Sequence, residues 1–239
     1  MNYSLPQLPE TFAGLTGRGV RVAMIDSGVN PAHPHVAGVA DGVGITASGE
    51  DADYLDYIGH GTAVAGAIRE KAPEALLYAV KVFDQTLTTS LEIIIRAIEW
   101  AIDQDIQLIN LSLGTLNPKH RERFEQVVAA AAARGSVIIA ACEIGGLPSL
   151  PGCLPAVIGV GPDWNCPRHS YRCVMNDGQT TFLASGYARP VPGVPPERNL
   201  NGISFAVAHL TGFAALARQQ CHKPDLAELL SILTAGAAF

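Results

Sequence analysis

The order of apolar runs along the chain predicts an α/β fold of three layers, with a mostly parallel sheet covered by helices on both faces. Three observations carry this prediction. Short β-branched runs alternate with segments of helical period over most of the sequence. Several of those runs are apolar throughout, as strands buried on both faces are. Polar or Gly-rich turns then follow the runs, and in such sheets the chemistry collects where strands end and loops begin. At 239 residues the chain can bury one large core and is short for two, so residues 1–239 are read as a single domain.

Taken in order, Gly19-Val20-Arg21-Val22-Ala23-Met24-Ile25 is a largely buried strand that ends at Asp26-Ser27-Gly28. Turn residues follow, then a Gly-rich segment over 41–49. Residues 57–69 open with Gly59-His60-Gly61-Thr62 and continue in Ala, Val and other small residues, which suits a helix entered through a glycine turn. Residues 76–82 form the next buried strand. Over 90–104, Ser90 sits at a cap, and Leu91, Ile94, Ile95, Ile98, Ala101 and Ile102 share one helical face. A strand over 108–113, a helix over 120–134, and strands over 137–141 and 157–160 come next. A helix over 205–219 runs out of the segment at Ser204, and a last one covers 226–233. The Pro-rich stretch 189–198 reads as a surface loop within the same domain.

Composition narrows the function classes. Apolar residues make up 48% and charged residues 16%, a globular balance. Mean hydropathy is high at +0.22, yet no apolar run reaches the ~18 residues a membrane span needs. A net charge of -6 argues against a nucleic-acid surface, which needs a basic patch. The amino terminus shows no basic region followed by an apolar one, so no secretory leader is expected. Five cysteines cannot all pair within one chain, which suits a reducing, cytoplasmic setting.

Three segments carry candidate chemistry. In Val22-Ala23-Met24-Ile25-Asp26-Ser27-Gly28-Val29, an acid at the end of a buried strand is placed to orient an imidazole; alone, an Asp before Ser-Gly more often is a turn residue. In Gly59-His60-Gly61-Thr62, flanking glycines leave both edges of the ring open, as a base needs when one nitrogen faces an acid and the other a hydroxyl. In Asn201-Gly202-Ile203-Ser204-Phe205-Ala206, a serine at the start of an apolar helix can project its hydroxyl into a cleft. Its N–H can point at the same spot, ready to stabilise an oxyanion. An N-cap serine is the competing reading.

Together these segments resemble the subtilisin-like (S8) serine peptidases, in which acid, base and nucleophile occur in the order Asp, His, Ser on an about seven-stranded parallel sheet. Asp26-Ser27-Gly28, His60-Gly61-Thr62 and Gly202-Ile203-Ser204-Phe205-Ala206 fill the signature positions. Leu77-Tyr78-Ala79-Val80-Lys81-Val82, Ile98-Glu99-Trp100-Ala101 and Ile109-Asn110-Leu111-Ser112-Leu113-Gly114 match between them. The resemblance implies that Ser204 attacks a carbonyl while His60 takes and returns its proton. Asp26 would hold the His60 tautomer and stabilise the imidazolium. It further implies that Ser112, Leu113 and Gly114 pair with an extended peptide. A peptide or protein is the expected substrate, and the reaction requires no metal or cofactor.

The chain departs from the family pattern at the oxyanion position. Where the family has Ala-Gly-Asn-x-Gly, this sequence has Ala141-Cys142-Glu143-Ile144-Gly145, with Glu143 in place of the donating Asn. A shifted alignment puts Ile144 there; neither supplies an amide. A Glu could donate only if burial kept it protonated. Ile203 replaces the usual Thr, and Val207-Ala208 the usual Ser-Pro. The segment between Ala67 and Leu76 is too short for the calcium loop many members carry. Gln85-Thr86-Leu87 stands where a Gly-rich strand often lines the cleft. About 25 residues precede the first signature, so no inhibitory propeptide is expected. That form suggests a dedicated maturation enzyme. The run from Cys153 to Gly161, with Phe205, is similar to the cyanobactin-type proteases that process ribosomal peptides. A silent relative that only binds a peptide, and an acyl transferase or macrocyclase, are the alternatives.

Among other residues, Cys153, Cys166, His169 and Cys173 have spacing compatible with zinc, but Cys153 falls on a family position with no metal role. Cys142 reads as a buried small hydrophobe beside the cleft. His209 matches a structural histidine of the family, and His33 and His35 are expected to be exposed.

Overall fold

The computed structural model of the chain describes residues 8–84, 86–176, 178–195, 198–223 and 225–238. Among these, β1 (Arg21–Asp26), β2 (Asp41–Thr46), β4 (Leu76–Lys81), β5 (Leu108–Leu111), β6 (Val137–Ala141), β9 (Ile158–Pro162) and β11 (Gln179–Ala184) form seven parallel strands. Two antiparallel strands, β3 (Gly49–Asp51) and β10 (Tyr171–Asn176), extend the edges, so the sheet has nine strands in the order β10-β11-β9-β6-β5-β1-β4-β2-β3. The expected seven are thus the parallel core, and the additions are edge hairpins. A separate two-stranded ribbon pairs β7 (Glu143–Ile144) with β8 (Leu147–Pro148).

Helices α1 (His60–Lys71), α4 (Ile203–Gln220) and α5 (Leu226–Ala235) contribute to one buried apolar cluster. Helices α2 (Leu91–Asp103) and α3 (Arg121–Ala133) build the other, across the sheet. Strand periodicity sorts residues between the two. In β1, Val22 and Met24 belong to the first cluster and Ala23 and Ile25 to the second. Because side chains alternate, Asp26 falls on the face of Val22 and Met24, toward α1 and α4.

After β1 the chain adds β2 and β4 on one side, then β5, β6, β9 and β11 on the other. The order therefore reverses between β1 and β5, the crevice position where open α/β sheets bind ligands. Asp26 ends β1 at this crevice, and Ser112 follows the end of β5, whose Leu111 pairs with Ile25.

Candidate functional site

Four elements bring the predicted residues to that crevice. His60 is the first residue of α1, entered through Gly59 with φ +92°. The helix can come close because residue 61 is glycine: a Cβ there would collide with the Gly28 carbonyl oxygen and reach within 3.2 Å of Asp26 Oδ1. Gly28 is equally constrained, with φ +94° and the Tyr54 carbonyl against the place of its missing side chain. The result is a 2.7 Å contact between His60 Nδ1 and Asp26 Oδ1, which also accepts the Ser27 N–H at 2.7 Å. Asp26 is 1% exposed. Burial pushes the His60 pKa down, but the hydrogen bond and charge of Asp26, with a further contribution from Asp56, overcome it, and the net shift is upward.

Ser204 lies in the first turn of α4, where N–H groups have no intrahelical partner. Gly202 precedes it with φ +150°, and its N–H is fixed by the Gly186 carbonyl at 2.8 Å. An isolated antiparallel bridge, Tyr187 to Asn201, closes the loop that leads in. The His60 ring lies 5.7 Å from that of Phe205, the residue after Ser204. The Ser204 hydroxyl donates to the Ser112 carbonyl oxygen at 3.3 Å. Among the described residues no hydrogen bond joins it to His60. Acid and base are therefore engaged with each other, while the hydroxyl is engaged with the segment after β5.

Ser112, Leu113 and Gly114 are half-buried and lie beyond β5, which ends at Leu111 rather than at 113. Ser112 Oγ accepts from Asn110 Nδ2 at 2.8 Å, and Asn110 Oδ1 accepts from Thr211 of α4 at 2.9 Å. This chain of bonds ties the segment to the helix bearing Ser204. Beside it lies a cavity of about 260 Å³ with Leu87, Leu91, Ile94, Leu113 and His120 in its wall. Leu87, where the family often has a Gly-rich strand, lines this hollow; Gln85 lies outside the described residues.

The segment after β6 is a hairpin. Gly145 and Gly146, both with positive φ (+61° and +79°), form the two-residue turn between β7 and β8. Glu143 is exposed on β7, so the burial on which a donating role depended is missing. Cys142 is half-buried, and burial, followed by the Glu143 charge, pushes its thiol up to about 11.

His209 is fully buried, its Nε2 2.8 Å from the Tyr187 carbonyl oxygen, and burial drives its pKa down. His33 and His35 are half-buried rather than exposed, because the loop before Ser204 folds over them and they pack edge to face at 5.0 Å. Cys166 is buried against the Pro167 and Ser170 carbonyls, and among the described residues no three His, Cys, Asp or Glu side chains are grouped to hold a metal. No described helix is long and apolar enough to cross a membrane.

Sequence reading missed Asp56. Its Oδ1 accepts from Ser27 Oγ, Ile58 N and Gly59 N, and its Oδ2 from Thr62 N and Oγ1, all within 2.6–2.9 Å. Burial raises its pKa, but these bonds outweigh that and hold the carboxyl below its ordinary range. Asp56 therefore caps α1 and ties it to the Ser27 turn. The signal was an acid shortly before a helix start.

Comparison with known proteins fits this arrangement. A family model described as "Subtilase family" matches residues 17–162, a span that includes Asp26 and His60. Subtilisin E of Bacillus subtilis (strain 168) is 35% identical over 229 residues, 85% of this chain and 56% of that protein. Subtilisin Savinase of Lederbergia lenta is 34% identical over 230 residues, 87% of this chain and 79% of that one. The chain spans only 56% of the length of Subtilisin E and of the M-protease of Shouchella clausii. A crystal structure of a cold adapted subtilisin-like serine proteinase shares the fold, with a TM-score of 0.71 and 22% identity over 93% of this chain and 84% of that one. With more than half of its residues matched by the family model and about a third shared with these relatives, the chain belongs to the subtilase family.

Proposed function

We propose that the chain is a serine endopeptidase, with Ser204 as nucleophile, His60 as base and Asp26 as orienting acid. The observation that carries this reading is the buried 2.7 Å contact of His60 with Asp26, on a ring that packs beside the residue following Ser204. A rotation of the Ser204 hydroxyl away from the Ser112 carbonyl would give its proton to the free nitrogen of His60. Such bonds are often loose before substrate binds. Attack on a peptide carbonyl then forms an acyl-enzyme, and His60 returns the proton to the departing amine. Oxyanion stabilisation would rest on the Ser204 N–H at the start of α4. With neither Glu143 nor Ile144 able to supply an amide, turnover is slowed on the order of 10²–10³-fold relative to a site with that second donor.

An extended substrate would pair along Ser112, Leu113 and Gly114 and place a side chain in the adjacent cavity, whose wall mixes Leu87, Leu91 and Ile94 with Thr88, Thr89 and Thr115. The five unpaired cysteines fit a cytoplasmic setting. The likeness of Cys153–Gly161 and Phe205 to cyanobactin-type proteases supports maturation of a specific precursor peptide. A second reading, a peptide-binding relative without turnover, is favoured by the Ser204–Ser112 bond and the exposed Glu143. Labelling with a serine-directed fluorophosphonate separates the two. Labelling that disappears in Ser204→Ala supports the peptidase, and no labelling of the native chain favours the binder.

A further inference from the structure

The loop that leads into Ser204 covers a second hollow, of about 270 Å³, built on the first turns of α1. It shares no residue with the cavity beside Leu113 and Gly114. Its wall includes Ala63, Val191 and Leu200, the imidazoles of His33 and His35, and Arg189. The two histidines lie edge to face, with rings 82° apart. Arg189 Nη1 touches only the His35 carbonyl oxygen, at 3.5 Å, and among the described residues its guanidinium makes no ion pair. Asp56 also borders the hollow, but both of its oxygens are engaged by the five bonds that cap α1 and hold Ser27. Asp56 keeps its negative charge at the α1 side of the hollow with its oxygens turned to these bonds, and Arg189 brings the guanidinium to the opposite, loop side.

Position says which part of a substrate would enter. On the peptidase reading, on which this inference rests, His60 gives its proton to the departing amine, so the leaving segment lies on the imidazole's side. The hollow is walled by the helix that begins with His60 and by the loop that ends at Ser204. We infer that it is a subsite for a carboxylate-bearing residue of the leaving segment, with Arg189 holding the carboxylate and Val191, Leu200 and Ala63 packing on its carbon atoms. An Arg–carboxylate bond of this kind is charge-assisted and directional.

Binding to Ser204→Ala by calorimetry tests this without requiring turnover. The probes are a positional library of short peptides with Glu or Gln held at each place in turn, each as free acid and as amide. At one position Glu should bind about tenfold tighter than Gln, or the free acid tighter than the amide if the carboxylate is terminal. Arg189→Gln should bring that ratio close to one, and Arg189→Glu should turn the preference toward Lys. Equal binding of all pairs, or a preference that survives Arg189→Gln, overturns the subsite. A carboxylate preference that depends on Arg189, in a protein whose Ser204 is never labelled, would instead keep the pocket and sink the peptidase reading.

Discussion

His60 is held between opposing influences. Burial disfavours its charged form; the carboxylate of Asp26, bonded at 2.7 Å, favours it and prevails with help from Asp56. The neutral imidazole is the form that can take a proton from Ser204, so kcat/KM should rise with pH. Its midpoint should lie above the ordinary 6.5 of a histidine. Asp26→Asn removes the charge that lifts the pKa and leaves burial to dominate, so the midpoint should move below 6.5. The same change lets Nδ1 carry the wrong tautomer, and kcat should fall on the order of 10⁴-fold. A pH–rate profile of both proteins checks the two effects together. A midpoint unmoved by Asp26→Asn would mean that the contact is structural and does not tune the base.

Among the elements, the hairpin after β6 carries Glu143, the residue at the proposed position of a second oxyanion donor. Glu143 occupies β7, which the Gly145–Gly146 turn joins to β8. If this ribbon faces the oxyanion, Glu143→Asn supplies the missing amide, and kcat should rise on the order of 10²-fold with little change in KM. A fall in kcat would give Glu143 a role of its own. Much of this level could be read from sequence: β6 falls on the expected residues, and Ser90 Oγ accepts the Ile93 N–H at the start of α2, as its spacing suggested. The strand β2 was hidden because Gly42 and Gly44 look like loop residues. They are glycine because the Tyr54 ring and the Asp53 carbonyl oxygen lie where their Cβ atoms would be. The edge strand β10 was obscured because its residues are unevenly buried. The candidates Asp26, His60 and Ser204 were legible because each lies at the end or the start of an element. Asp56 and Arg189 were not, because their meaning depends on loops that meet only in three dimensions.

Across the whole molecule, the joint between α1 and α4 carries a buried charge that the proposed chemistry does not use. Lys71, on the last turn of α1, is 2% exposed and is paired with Glu70, which Arg168 also approaches at 3.3 Å. Gly212 of α4 packs on the Lys71 stem. Burial, only partly offset by Glu70, lowers the Lys71 pKa from 10.5 to about 8. The unfolded chain therefore binds a proton that the folded chain has lost between pH 8 and 10.5, and in that window this group makes stability rise with pH. Below pH 8 the lysine is charged in both states, and its burial, net of the pairing with Glu70, costs about 3 kcal/mol. Cys142, Cys166, Cys221 and Tyr171 act in the opposite sense: their pKa values are raised, so their contributions fade as the medium becomes alkaline. The total curve mixes both trends, and only a difference isolates the lysine. Lys71→Met keeps the apolar stem and leaves Glu70 with Arg168. Denaturant unfolding should find this variant more stable than the native chain at pH 7, with the gap closing between pH 8 and 10.5. A gap that stays constant across that range would mean Lys71 remains charged in the folded state, held by Glu70 more strongly than burial opposes it.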